Sequence, residues 1–111
     1  TRRSSDLDIG FQKIIDLGEA DESIWLGKAD ILIKLGEYNY AIDILDECYE
    51  VFEEKSIITY RLSGIYFLQN KIEKGIIQLK KALKLNEKNK YIFKELFNNV
   101  AKYKYVENLL K

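Results

Sequence analysis

Two stretches decide the fold once one is written above the other: residues 22–55, ESIWLGKADILIKLGEYNYAIDILDECYEVFEEK, and residues 56–89, SIITYRLSGIYFLQNKIEKGIIQLKKALKLNEKN. At this offset of 34 residues Ile24 stands over Ile58, Ile31 over Ile65, Ile42 over Ile76 and Leu45 over Leu79. Small residues align too, with Ala29 over Ser63, Ala41 over Gly75 and Cys48 over Ala82. Self-similarity at a period of roughly 20 to 50 residues marks a supersecondary unit stacked on itself, because one such unit cannot bury its own apolar face.

Each copy contains two apolar blocks at helical spacing. In the first copy Ile24, Trp25, Leu32 and Leu35 mark one helix, and Tyr38, Ile42, Leu45, Tyr49 and Phe52 mark the next. Gly36-Glu37 separates them. Glycine enters the left-handed backbone region without steric cost and so closes a helix. Asn70, the next best residue for that conformation, stands at the same place in the second copy.

These residues resemble the pattern of the tetratricopeptide repeat (TPR) family. The first copy supplies Trp25, Ala29, Leu32, Gly36, Tyr38, Ala41, Leu45 and Cys48; the second supplies Leu62, Ser63, Tyr66, Asn70, Ile72, Gly75, Leu79 and Ala82. Small residues let helix axes approach where they cross, and large ones fill the spaces beside them. The sequence departs from the family at Lys28, where leucine is preferred, and at Glu53 and Glu87, where proline is usual. The resemblance implies an all-α, right-handed α-solenoid of antiparallel helix pairs with six to seven helices.

Within that frame residues 1–21 are expected to hold the second helix of a truncated preceding repeat, with Leu7, Phe11, Ile14 and Leu17 on one stripe and Gly18 as its stop. Residues 22–55 and 56–89 are the two full repeats. Residues 90–111 form a C-terminal partial repeat, read as a first helix carrying Phe93, Leu96, Phe97 and Val100 and a degenerate closing helix over 106–110. Lys90, Lys94, Asn98 and Lys102 on the other side suit a solvating cap. A chain of 111 residues leaves room for one domain.

Composition narrows the function. With 47% hydrophobic and 32% charged residues the chain folds. Its apolar runs, such as Ile31-Leu32-Ile33, fall far short of the roughly 20 residues of a membrane span. The N-terminus lacks the apolar stretch of a secretory signal, so a cytoplasmic location without a membrane partner is the expectation. There is no histidine, and the one cysteine, Cys48, forms neither an internal disulfide nor a cysteine cluster. No glycine-rich loop ends in Gly-Lys-Ser/Thr, and the pairs Asp43/Asp46 and Glu53/Glu54 lie on an outward face with no apolar pocket. The expectation is a non-enzyme without cofactor, metal or small-molecule substrate.

What the resemblance implies instead is a protein-interaction scaffold, because the first helices of successive repeats in the family line a concave groove. The register assigns to that groove Ser23, Leu26, Asp30 and Ile33, then Ile57, Tyr60, Arg61, Gly64 and Phe67, then Tyr91, Lys94 and Asn98. This apolar and aromatic mixture suits a peptide or a partner helix. Tyr60 and Phe67 read equally as anchors for that partner and as packing between helices. Lys94, Asn98 and Arg61 are the residue types of the carboxylate clamp in some family members. Lys94 and Asn98 stand on the last first-helix rather than the first, and the reading preferred for them is an exposed cap.

A second reading is self-assembly through the N-terminal edge, where Leu7, Phe11 and Ile14 have no covering helix in the sequence. Charge adds a further feature. Residues 1–55 hold six basic and fourteen acidic side chains, and residues 56–111 hold twelve and four. The sign inverts at matched positions: Asp46 becomes Lys80, Glu47 Lys81, Glu50 Lys84 and Glu54 Lys88. Inter-repeat salt bridging is the first expectation, and a bipolar surface for a charged partner or a second copy is the alternative. The lysines also raise nucleic acid as a partner, the least favoured, because net charge is zero and the segment uses lysine rather than arginine.

Overall fold

A computed structural model describes residues 22–111, and the described residues form helices and turns only. Four helices make two antiparallel pairs: α1 (Glu22–Lys34) with α2 (Tyr38–Val51), and α3 (Ser56–Leu68) with α4 (Ile72–Leu85). A 3-10 turn (Glu87–Asn89) leads to three short helices, α5 (Lys90–Leu96), α6 (Asn98–Ala101) and α7 (Lys104–Leu110). The helix expected over 6–17, with Leu7, Phe11 and Ile14, lies outside the described residues.

The turn inside each pair is the same turn. Gly36 has φ of 81° and Asn70 has φ of 66°. Their backbone bonds match residue for residue: Glu37 N–H donates to the Leu32 carbonyl at 2.8 Å, and Lys71 N–H to the Tyr66 carbonyl at 2.8 Å. Gly36 N–H reaches the Ile33 carbonyl at 3.1 Å, and Asn70 N–H the Phe67 carbonyl at 2.9 Å. These bonds satisfy the last carbonyls of α1 and α3 and reverse the chain.

Every aligned small residue is buried where helices cross: Ala29, Ser63, Ala41, Cys48 and Ala82 are wholly inaccessible. A Cβ on Gly75 would lie 2.9 Å from the Phe67 ring, so α4 approaches α3 as far as the missing side chain allows. Trp25 meets Phe52 edge-on with ring centroids 6.1 Å apart. The central helix is α3, which α2, α4, α5 and α6 all touch. Its sequence is apolar nearly all round, as a helix with neighbours on every side requires.

The C-terminal segment departs from the expected pair. The helix beginning at Lys90 breaks at Phe97, where φ is −123° and ψ is 52°. Gly64 on α3 has no side chain, and the Phe97 ring fills that space: a Cβ there would sit 2.3 to 2.4 Å from three ring atoms. Anchoring Phe97 there, beside Phe93 at 5.3 Å, accompanies the division into α5 and α6.

The repeats join without proline. Lys55 donates its Nζ to the Tyr49 and Phe52 carbonyls at the end of α2. At the next junction Tyr60 Oη donates to the Asn86 carbonyl at 2.9 Å, and Asn89 Nδ2 to Ser56 Oγ at 2.9 Å. The expected inter-repeat salt bridges are corrected. Among the described residues the ion pairs are Arg61–Asp30 and Lys90–Glu87, and neither joins α2 to α4. Lys81 instead places its Nζ 4.9 Å from the centre of the Tyr49 ring, with Lys55 at 4.8 Å on the same ring. A lysine that spans the gap can rest on a neighbouring π face instead of reaching for a carboxylate on an exposed helix.

Candidate interaction groove

The helices α1, α3 and α5 together frame a cleft of about 320 Å³, lined by Leu26, Asp30, Ile57, Arg61, Tyr91, Ile92, Glu95 and Leu96. Leu26 and Asp30 lie one helical turn apart on α1, as Ile57 and Arg61 do on α3, so each pair faces the same side. The floor is crossed by one ion pair. Arg61 Nε donates to Asp30 Oδ1 at 2.8 Å and Arg61 Nη2 to Asp30 Oδ2 at 3.1 Å. Its remaining nitrogen, Nη1, donates to the Ile57 carbonyl at 2.9 Å. The side chains are 10% and 24% exposed, Arg61 the more buried. A two-pronged guanidinium–carboxylate contact fixes geometry as well as charge. It ties α1 to α3 across the repeat boundary.

That pairing commits Arg61, so the cleft carries one further formal charge, the exposed Glu95. Around it lie apolar surfaces from Leu26, Ile57, Tyr91, Ile92 and Leu96. Tyr91 is 54% exposed, a large amphipathic ring standing at the rim.

Five of the twelve residues that the sequence assigned to the groove are thus together in one cleft: Leu26, Asp30, Ile57, Arg61 and Tyr91. Four are corrected to core, among them Gly64 beneath the Phe97 ring, and Ser23 lies exposed outside the cleft. Ile33 is 8% exposed, Tyr60 is wholly buried and Phe67 is 4% exposed. Tyr60 turns its hydroxyl to the Asn86 carbonyl, and burial, helped by the negative charge of Glu87, pushes its phenol up to about 12. Phe67 is held edge-on by Phe93 with centroids 6.1 Å apart, and Tyr105 lies at the same distance. Lys94 and Asn98 turn elsewhere, to a separate cleft of about 270 Å³ with Ala101, Lys102, Glu107, Leu110 and Lys111. Arg61 does not join them there.

Ile92, Glu95 and Leu96 are lining residues that sequence register did not supply. The signal that places them is the core stripe itself: with Phe93, Phe97 and Val100 buried, positions 92 and 96 flank it on the side of α3. Cys48 is buried, and that burial, with Glu47 nearby, pushes its thiol up to about 12. No group of three or more histidine, cysteine, aspartate or glutamate side chains is placed to hold a metal ion among the described residues. No described helix is long and apolar enough to cross a membrane.

Paired helices stacked through one apolar seam, with a cleft along their first helices, define a helical-repeat solenoid. A tetratricopeptide repeat family model matches residues 16–55 and 58–89, and the chain belongs to that family. Comparison with curated proteins and with solved structures gives no significant match. Tetratricopeptide repeats generally mediate contacts between proteins.

Proposed function

We propose that this chain is a protein-interaction scaffold that takes a peptide or a partner helix into the cleft between α1, α3 and α5. The observation that carries this reading is the convergence of Leu26, Asp30, Ile57, Arg61 and Tyr91, from three helices, on one cleft of about 320 Å³. That volume lies at the low end of ligand pockets, which run from roughly 300 to 1,000 Å³. It accommodates one or two anchoring side chains of a longer segment rather than a folded partner. The Asp30–Arg61 pair already satisfies its own charges, so specificity falls to shape against Leu26, Ile57 and Tyr91 and to Glu95 at the edge. The partner that fits brings apolar anchors at helical or extended spacing and a basic group for Glu95.

Peptides selected from a displayed random library against the folded chain test this. Leu26→Glu and Tyr91→Ala are expected to weaken the selected peptides at least tenfold, and Glu95→Lys to weaken those carrying a basic residue. Lys84→Ala on α4 should leave them unchanged. Peptides indifferent to Leu26→Glu and Tyr91→Ala, in variants that keep wild-type helicity, would retire the groove as the binding site.

A further inference from the structure

The outer faces of α2 and α4 carry opposite charge on an identical lattice, and the cleft plays no part in either. On α2, Glu47 and Glu50 flank Val51, which is 63% exposed. On α4, thirty-four residues later, Lys81 and Lys84 flank Leu85, which is 47% exposed. Asp46 and Lys80 extend the two bands at a further matched position. Each band is a charged stripe that ends at an exposed aliphatic residue, the last of its helix.

Within one molecule the bands do not neutralise each other. Neither Asp46, Glu47 nor Glu50 forms an ion pair with Lys80, Lys81 or Lys84. Burial first, then the charges of Asp43 and Glu50, raise the Asp46 carboxyl above its ordinary value. A cation brought to that band would relieve the repulsion.

We propose that copies of this chain associate head to tail, the acidic band of α2 docking on the basic band of α4 of a second copy. The matched spacing is the argument for a second copy over another polyion. Asp46, Glu50 and Val51 recur as Lys80, Lys84 and Leu85 at the same intervals, so parallel helices can bring carboxylates of one copy to ammonium groups of the other, while Lys81 keeps its place over the Tyr49 ring of its own molecule. A polyanion such as a nucleic acid would meet the acidic band beside the basic one and be repelled by it. Helices of 14 residues are about 21 Å long. One such helix against another buries less than the roughly 800 Å² per partner of a standard interface, which makes the contact transient and dependent on ionic strength.

Light scattering and sedimentation velocity on nuclease-treated protein test this. The average mass is expected to rise steadily with concentration near 0.01 M salt, where the screening length is about 30 Å, and to return to that of the monomer near 1 M, where it is about 3 Å. The variant Asp46→Lys/Glu47→Lys/Glu50→Lys and the variant Lys80→Glu/Lys84→Glu/Lys88→Glu should each stay monomeric alone. Mixed in equal amounts, one presents wholly basic bands and the other predominantly acidic ones, with Lys81 kept on the Tyr49 ring, and they should associate at least as strongly as wild type. A wild-type chain that stays monomeric at low salt overturns the proposal. So does association that survives 1 M salt, which would assign the contact to apolar surface. The wild-type titration depends on no substitution, so a variant that misfolds leaves the test intact.

Discussion

The two helix pairs carry the same apolar pattern and are buried differently. Ile31 of α1 is 56% exposed, whereas its equivalent on α3, Ile65, is wholly buried; Ile24 and Ile58 differ in the same direction. Among the described residues α1 packs chiefly on α2, while α3 is enclosed by α2, α4, α5 and α6. In a stack of repeats a side chain's burial is set by the neighbours on either side of its helix as much as by its own position in the unit. A second difference is an exchange of glycine and charge. Position 27 is glycine where position 61 is arginine, and position 30 is aspartate where position 64 is glycine. Arg61 reaches back to Asp30 across the boundary, and Gly64 opens the space that Phe97 fills. Neither repeat would make these contacts if both had the same residues there.

The contrast breaks most visibly at the isoleucines. Ile65→Ala is expected to lower the free energy of unfolding by about 3 kcal/mol, since it leaves a cavity among helices that collapse only in part. Ile31→Ala should cost about 0.5 kcal/mol or less. Equal losses in urea denaturation would show that α1 and α3 share one environment.

At the glycines the expected signs are opposite. Gly64→Ala drives a methyl into the Phe97 ring and should cost about 2 kcal/mol. Combined with Phe97→Ala it should cost much less than the two changes summed, a coupling that a double-mutant cycle reads directly. The stabilising change is expected at Gly27, where a Cβ would have nothing within 4 Å: Gly27→Ala should stabilise the chain by about 0.5 kcal/mol through helix propensity.

Between these lies Tyr60, whose counterpart in the first repeat is Leu26 of the cleft. Tyr60→Phe removes the bond to the Asn86 carbonyl and should cost about 1 kcal/mol at neutral pH. Its phenol titrates near 10.0 in the unfolded chain and only at about 12 in the folded one. The unfolded chain therefore releases the proton first, and the stabilisation present below pH 10 is lost as pH rises towards 12. The Cys48 thiol, raised from 9.0 to about 12, acts in the same direction. Denaturation midpoints between pH 9 and 12 should fall less steeply for Tyr60→Phe than for wild type.

The helix pairs, their turns and the small residues at their crossings were legible in the sequence because each rests on local chemistry. A glycine or asparagine enters the left-handed region, and a period of 34 residues brings Ala29, Ala41 and Cys48 onto one seam. The groove was legible only in part. Register gives the direction of Leu26, Asp30, Ile57 and Arg61 from their own helices, but it cannot show that Tyr60 and Phe67 are covered by segments from residues 86–105. Part of that cover follows the break at Phe97, whose ring fills the space at Gly64, a residue 33 positions earlier. The salt bridges expected between α2 and α4 failed for a related reason: neighbouring places in a repeat alignment do not fix the distance between the ends of long side chains.

The proline absent from the inter-repeat turns has a mechanical counterpart. Where Glu53 and Glu87 stand, the angle from one repeat to the next is not locked by a pyrrolidine ring but by the ammonium of Lys55, the hydroxyls of Ser56 and Tyr60 and the amide of Asn89. The neutral bonds among these contribute about 1 kcal/mol each and those of the ammonium somewhat more, so each joint is held by a few contacts that a single substitution can loosen.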